Sequence, residues 1–246
     1  MNCKTNIIQD GVMKIATKQI GQGSRQAALI HGIGMSGETW QELAEIMAER
    51  YNYSVILVDL RGHGDSPNMR SYLIREFAQD LKDTLPKGLD ILMGHGIGGR
   101  IAAEAAAHLQ PRQLICLDPA TRMSTIYKMA LIHLFPTFLR NAFGIVPKGV
   151  SVKTRRRILN AINKWDIDMI KALLSEGVRR DFRALTPTMS STVVLADNSF
   201  AVSKEKEHDL ELVGWKIRHK IGSTHEMHWQ NPEGTLSAIA DLLTNT

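Results

Sequence analysis

Four short stretches of the chain gather residues able to do chemistry. They are HGIGMSGETW from His31, DLRGHGDSP from Asp59, GHGIGGR from Gly94, and GSTHEMHW at 222–229. The first three each sit just past an apolar run that reads as a strand. Imidazole is the side chain whose proton affinity lies nearest neutral pH, so a histidine oriented by a carboxylate can take up and return a proton. There are nine histidines, and most are expected to be loop or core residues. Asp118 closes the apolar run RQLICLD and precedes Pro119, which biases it towards an extended backbone. Catalytic groups of α/β sheets collect at the C-terminal ends of strands, so Asp118 leads the acids. No grouping of His, Cys, Asp and Glu has metal-ligand spacing, and no metal is expected. The GxGxxG-like fragments do not open a dinucleotide-binding unit, so no cofactor is expected either.

The elements that must position these residues follow from hydrophobic spacing. Strands are expected at 11–17, 26–32, 54–60, 89–95 and 112–118. Helices are expected at 36–51, with Ser36 as cap, at 73–85 and at 98–109. Such alternation predicts an α/β fold, a mostly parallel sheet with helices on both faces. From Thr121 to Thr186 only helical patterns occur. Strand character returns at 191–197 and 211–221, and a last helix is expected at 232–243. The domain expectation is therefore a core of 1–120 and 187–246 carrying an inserted helical cap, 121–186.

The four motifs, in this order and on this strand pattern, resemble the α/β-hydrolase superfamily across essentially the whole chain. In that family a nucleophile sits on a tight strand-to-helix turn, G-x-S-x-G. The matching residues here are Gly94, His95, Gly96, Ile97 and Gly98, so the nucleophile position holds Gly96. Glycine has no side chain to attack with, and acyl-enzyme chemistry from that position is impossible. The replacement is either a natural variant or a serine-to-glycine mutation. The resemblance places the catalytic base at His225, ahead of His228. It gives the acid two sites, Asp118 after one strand and Asp197 near the end of a later one; Ser199 stands where the family often carries its acid. The oxyanion hole of the family needs only backbone N–H groups, here those of Ile33 and Ile97. His31, His95 and Ser66 read as structural.

The resemblance implies an enzyme acting on a small ester, thioester or carbonyl substrate. Two alternatives stay open. One is a non-hydrolytic enzyme that depends on His225, of lyase, cyclase or cofactor-free oxygenase type; the other is a pseudo-hydrolase that only binds a ligand.

Composition limits the partners. The chain has 246 residues and a net charge of +5, with 43% hydrophobic and 22% charged residues, ordinary usage for a globular protein. The total hides a split: 121–186 holds 13 basic and 4 acidic residues, so this block is near +9 and the rest near −4. Solvated faces of amphipathic helices account for such charge; attraction of an anionic or carrier-linked substrate is the sharper reading. No nucleic-acid motif accompanies it. Cys3 and Cys116 cannot make a disulfide framework, and Cys116 reads as a buried thiol, which fits a reducing cytoplasm. The N-terminus has no apolar h-region, no apolar run reaches 18 residues, and no stable membrane insertion is expected. Nothing in the chain specifies an oligomeric state.

Overall fold

A computed structural model describes residues 8–9, 12–120, 150–166, 168–169, 186–197, 199 and 201–244. Two short strands, β1 (Ile8–Gln9) and β2 (Val12–Met13), pair with each other. The main sheet contains β3 (Thr17–Ile20), β4 (Arg25–Ile30), β5 (Tyr53–Val58), β6 (Ile91–His95), β7 (Gln113–Leu117), β8 (Ser190–Ala196) and β9 (Lys216–Lys220), in the order β3-β5-β4-β6-β7-β8-β9. Only β3 runs antiparallel to its neighbour.

The period-2 alternation of the strands splits the core into two layers. Ala27, Leu29, Ile91, Met93, Ile115 and Leu117 face one side, with Trp40, Met47 and Tyr53. On that side lie α1 (Gln41–Tyr51) and the C-terminal helices α7 (Pro232–Ser237) and α8 (Ala240–Thr244). Ala28, Ile30, Leu92, Leu114 and Cys116 face the other side. There they meet Phe77 and Leu81 of α2 (Ile74–Thr84) and Ile101 and Ala105 of α3 (Ile97–Leu109). The central strands are buried on both faces, which is why they read as continuous apolar runs.

Several expectations are corrected. The strand expected at 11–17 divides: Ile15 and Ala16 leave the ladder, their N–H groups donating to Thr84 Oγ1 and Ser66 Oγ, and pairing resumes at Thr17. The strand expected at 211–221 shortens to Lys216–Lys220, because helix α5 (Lys204–Leu212) takes its first two residues. Ser203 caps that helix, accepting from the Lys206 N–H, and Gly214, at φ 103°, ends it in a conformation suited to glycine. The helix expected at 232–243 breaks in two at Ala238–Ile239, and a one-turn helix, α6 (Met227–Gln230), precedes it. The helix expected at 36–51 begins as a 3-10 turn at Gly37–Trp40, with Ser36 capping it as anticipated.

Most of the expected cap, 121–149 and 170–185, lies outside the described residues. Its described part forms α4 (Val152–Ile162), which rests on the core. Thr154 Oγ1 donates to Glu42, and Arg157 pairs with Glu45. Beyond it, Asp166 accepts from the Tyr72 hydroxyl at 2.5 Å. No described helix is long and apolar enough to cross a membrane.

Helix α3 approaches the sheet closely because Gly98 and Gly99 in its first turn lack side chains. A Cβ on Gly98 would stand 2.3 Å from the His31 carbonyl oxygen and 2.5 Å from that of Ile30. Both obstacles are backbone, so the helix itself must move. Gly98→Ala is therefore expected to destabilise the fold by about 1–3 kcal/mol, the range of overpacked cores, read as a lowered urea midpoint. A wild-type midpoint would contradict this packing.

Candidate active site

The site is built where β6, β7 and β8 end. Strand β6 finishes at His95, and α3 starts at Ile97. The residue between them, Gly96, has φ 55° and ψ −121°, a region that L side chains adopt only at a cost in strain. The turn is pinned from both sides: Gly96 N–H donates to the Leu117 carbonyl at 3.0 Å, and Ala120 N–H donates to the Gly96 carbonyl at 3.0 Å. A Cβ on Gly94 would meet the Gly98 carbonyl at 2.4 Å, so the flanking glycines are required by close approach.

Asp118 follows β7 directly and is completely buried. Its N–H donates to the Val194 carbonyl of β8 at 2.8 Å. The extended backbone that Pro119 led us to expect is absent: Asp118 has φ 43°. Left-handed backbone is tolerated better by aspartate than by most residues, and here it turns the carboxylate under the strand ends. His225 Nδ1 donates to Asp118 Oδ2 at 2.6 Å, with both side chains almost fully buried. Asp197 does not share this role. It is exposed, and its carboxylate accepts the Gly222 N–H, closing the turn after β9. Ser199 stands beside Asp118 and favours its charged form, while its oxygen accepts the N–H groups of Ala201 and Val202.

Burial works to lower the pKa of His225, but the Asp118 hydrogen bond and the charges of Glu226 and Asp118 outweigh it, so the value lies above the usual one. Burial likewise works to raise Asp118, and the hydrogen bonds from His225 and Ser199 overcome it, holding the carboxyl below its usual range. Both shifts favour the charged pair over either neutral partner.

Two further histidines brace the turn that carries Ile33. His31 Nδ1 donates to the Gly32 carbonyl at 2.7 Å, and its Nε2 accepts the Leu60 N–H at 3.0 Å. His63 Nε2 accepts the Gly34 N–H at 3.1 Å, and its Nδ1 donates to the Arg61 carbonyl at 3.1 Å. Each ring is therefore held in one tautomer and ties the Gly32–Gly34 backbone to the loop after β5. Ile33 and Ile97 bury their side chains in the same core layer. Ser66 is structural in the same sense, donating to the Asp59 carbonyl at 2.6 Å. A cavity of about 160 Å³ beside Lys18, Glu38, Asp59 and Asp65 lies elsewhere and includes none of Gly96, Asp118 and His225.

Sequence reasoning missed one grouping. His95 Nε2 donates to the His225 carbonyl at 2.9 Å, and the His95 ring lies 4.4 Å from both the His225 and the His228 rings, centroid to centroid. His95 is far from the others in the chain, so spacing carried no signal. Because Asp118, and not Asp197, accepts the His225 Nδ1–H, Asp118→Ala is expected to cost about 3–5 kcal/mol, the usual penalty for breaking a buried pair. It should also remove the low-field His225 Nδ1–H proton resonance, which Asp197→Asn should leave in place. Loss of that resonance in Asp197→Asn alone would contradict the assignment.

Comparison with known proteins places the fold in a family. Pimeloyl-[acyl-carrier protein] methyl ester esterase of Aeromonas hydrophila is 34% identical over 180 residues, 70% of this chain and 63% of its own length. The esterase of that name from Vibrio cholerae is 35% identical over 88 residues, 36% of this chain and 33% of its own. The chain thus spans less than two thirds of the length of these curated relatives. The N-formylmaleamic acid deformylase of Pseudomonas putida S16 has the same fold, with a TM-score of 0.72 at 20% identity over 94% of this chain and 97% of its own. Residues 28–236 match the alpha/beta hydrolase family, and the chain belongs to it.

Proposed function

We propose that this protein is an enzyme acting on a small or carrier-linked ester, thioester or related carbonyl compound, with His225 as general base, Asp118 as its orienting acid and no covalent intermediate. The observation that carries this reading is the buried 2.6 Å bond between His225 Nδ1 and Asp118 beside a glycine turn. Gly96 occupies the position from which relatives of this fold present a nucleophile, and it has no atom to attack with.

The chemistry left to the site is attack by water. His225 Nε2 takes a proton from a water as its oxygen adds to the carbonyl carbon. The resulting oxyanion is met by the N–H groups of Ile33 and Ile97, in the manner of an oxyanion hole. Collapse of the adduct expels the alkoxide or thiolate, which takes its proton back from His225. Asp118 stays ionised throughout and stabilises the imidazolium. Hydrolases stripped of a triad member retain roughly 10³–10⁴-fold catalysis over water, so slow turnover is the expectation.

The carrier-linked substrate is supported by the names of the curated relatives, which are esterases of an acyl-carrier-protein methyl ester. It is supported also by the basic excess of 121–186. Of the three successive arginines in α4, Arg157 is committed to Glu45 with its side chain only 16% exposed. Lys153 and Arg156 face solvent and are the better probes of an acidic partner.

The test is ester hydrolysis by wild type, His225→Ala and Gly96→Ser. We expect wild-type turnover to fall to background in His225→Ala, and Gly96→Ser to gain at least about 10²-fold if it restores a nucleophile. Undiminished turnover in His225→Ala would overturn the reading. Reversing Lys153 and Arg156 to Glu is expected to raise KM for a carrier-linked ester, leave kcat unchanged, and remove the salt dependence of KM. An unchanged KM would remove the acidic partner from the account.

A further inference from the structure

Next to His225 lies a second group of side chains that the proposed reaction does not use. One ligand atom each from His95, Glu226 and His228 come within 4.8 Å of one another. Both histidines are essentially inaccessible, 2% and 0% exposed. The tautomer of His95 is fixed, because its Nε2 meets the His225 carbonyl, which can only accept. Nδ1 of His95 therefore carries a lone pair. Among the described residues, no hydrogen-bond partner meets that nitrogen or either ring nitrogen of His228. A neutral imidazole presents one lone pair whichever nitrogen holds the proton. Glu226 is half-buried, and one of its oxygens accepts the Trp229 indole N–H at 2.8 Å. That bond orients the carboxylate.

Buried polar atoms are ordinarily satisfied, and a buried set that is not calls for a ligand or a structural reason. We propose that His95, Glu226 and His228 form a binding site for a divalent cation of the zinc type. Two imidazole nitrogens and one carboxylate are a donor set of borderline softness, suited to zinc and its neighbours. Magnesium and calcium take oxygen ligands and are disfavoured here. The backbone carbonyl on His95 Nε2 and the indole on Glu226 are the kind of outer partners that fix ligand orientation in metal sites. Bonds of about 2.0–2.2 Å to a tetrahedral ion set donor separations of about 3.5 Å, inside the 4.8 Å within which the three atoms lie, and the half-buried Glu226 side chain has the freedom to adjust. A bound ion would clamp the 225–229 segment onto the end of β6. The inference does not depend on His225 acting as a base.

The experiment uses the full chain without an affinity tag, stripped with a chelator and titrated with Co²⁺ and then Zn²⁺. We expect visible Co²⁺ d–d absorption that saturates at one equivalent and is bleached by Zn²⁺. Glu226→Gln should weaken Zn²⁺ binding by at least about tenfold, and His228→Gln should abolish it. His228 is fully buried, so the Glu226 variant carries the test if His228→Gln does not fold. The exposed His219–Glu207 pair is the rival site, and His219→Ala should leave the titration unchanged. Absence of the absorption, its persistence in Glu226→Gln at wild-type affinity, or its loss in His219→Ala would each overturn the proposal.

Discussion

The short bond between His225 and Asp118 joins residues 107 positions apart, and most of the described structure serves to make it. A buried carboxylate without a partner is costly to keep ionised. Asp118 is fully buried, so its surroundings must supply donors, and they do so through His225, Ser199 and the sheet itself. The parallel register of β6, β7 and β8 brings three strand ends together at one edge. From that edge the Gly96 turn, the left-handed Asp118 backbone and the Val194 carbonyl hold one another in place. The loop bearing His225 is secured from a different direction, by the bond from His95 to its carbonyl.

The turn at Gly96 keeps its sharp backbone and its close approach to helix α3, yet offers no reactive atom. Glycine relieves the strain that a side chain would pay at φ 55°. Asp118 and His225 share a short buried bond, with charge states biased towards carboxylate and imidazolium. A pair preserved to this degree beside an inert turn favours proton transfer to and from a bound molecule, and a water is the simplest one. The polarity of the chain fits an anionic or carrier-linked substrate, with positive charge concentrated between 121 and 186.

Much of this was legible in the sequence, for physical reasons. Fully buried parallel strands have no polar face, so β4, β6, β7 and β8 stood out as apolar runs. Glycines 94, 96 and 98 are needed by close approach and a special backbone, so their spacing carried the turn. The helix at 204–212 was missed although Ser203 and the following Lys and Glu residues mark a helix start. The segment ELVGW, which overlaps that helix's last two residues, was read as strand instead. The left-handed Asp118 was missed because the proline rule describes a local bias, and tertiary bonds override it. The nearness of His95 to His228 could not be read at all, since it depends on how β6 meets helix α6, more than 120 residues away.

The central claim is that the site acts through His225 with no covalent intermediate. The most direct measurement is intact-mass spectrometry of the protein quenched during turnover of a carrier-linked methyl ester, beside its His225→Ala variant. The account predicts product formation that needs His225, with the protein mass unchanged at every time point. An acyl adduct on the wild-type chain, or equal product from the variant, would contradict it.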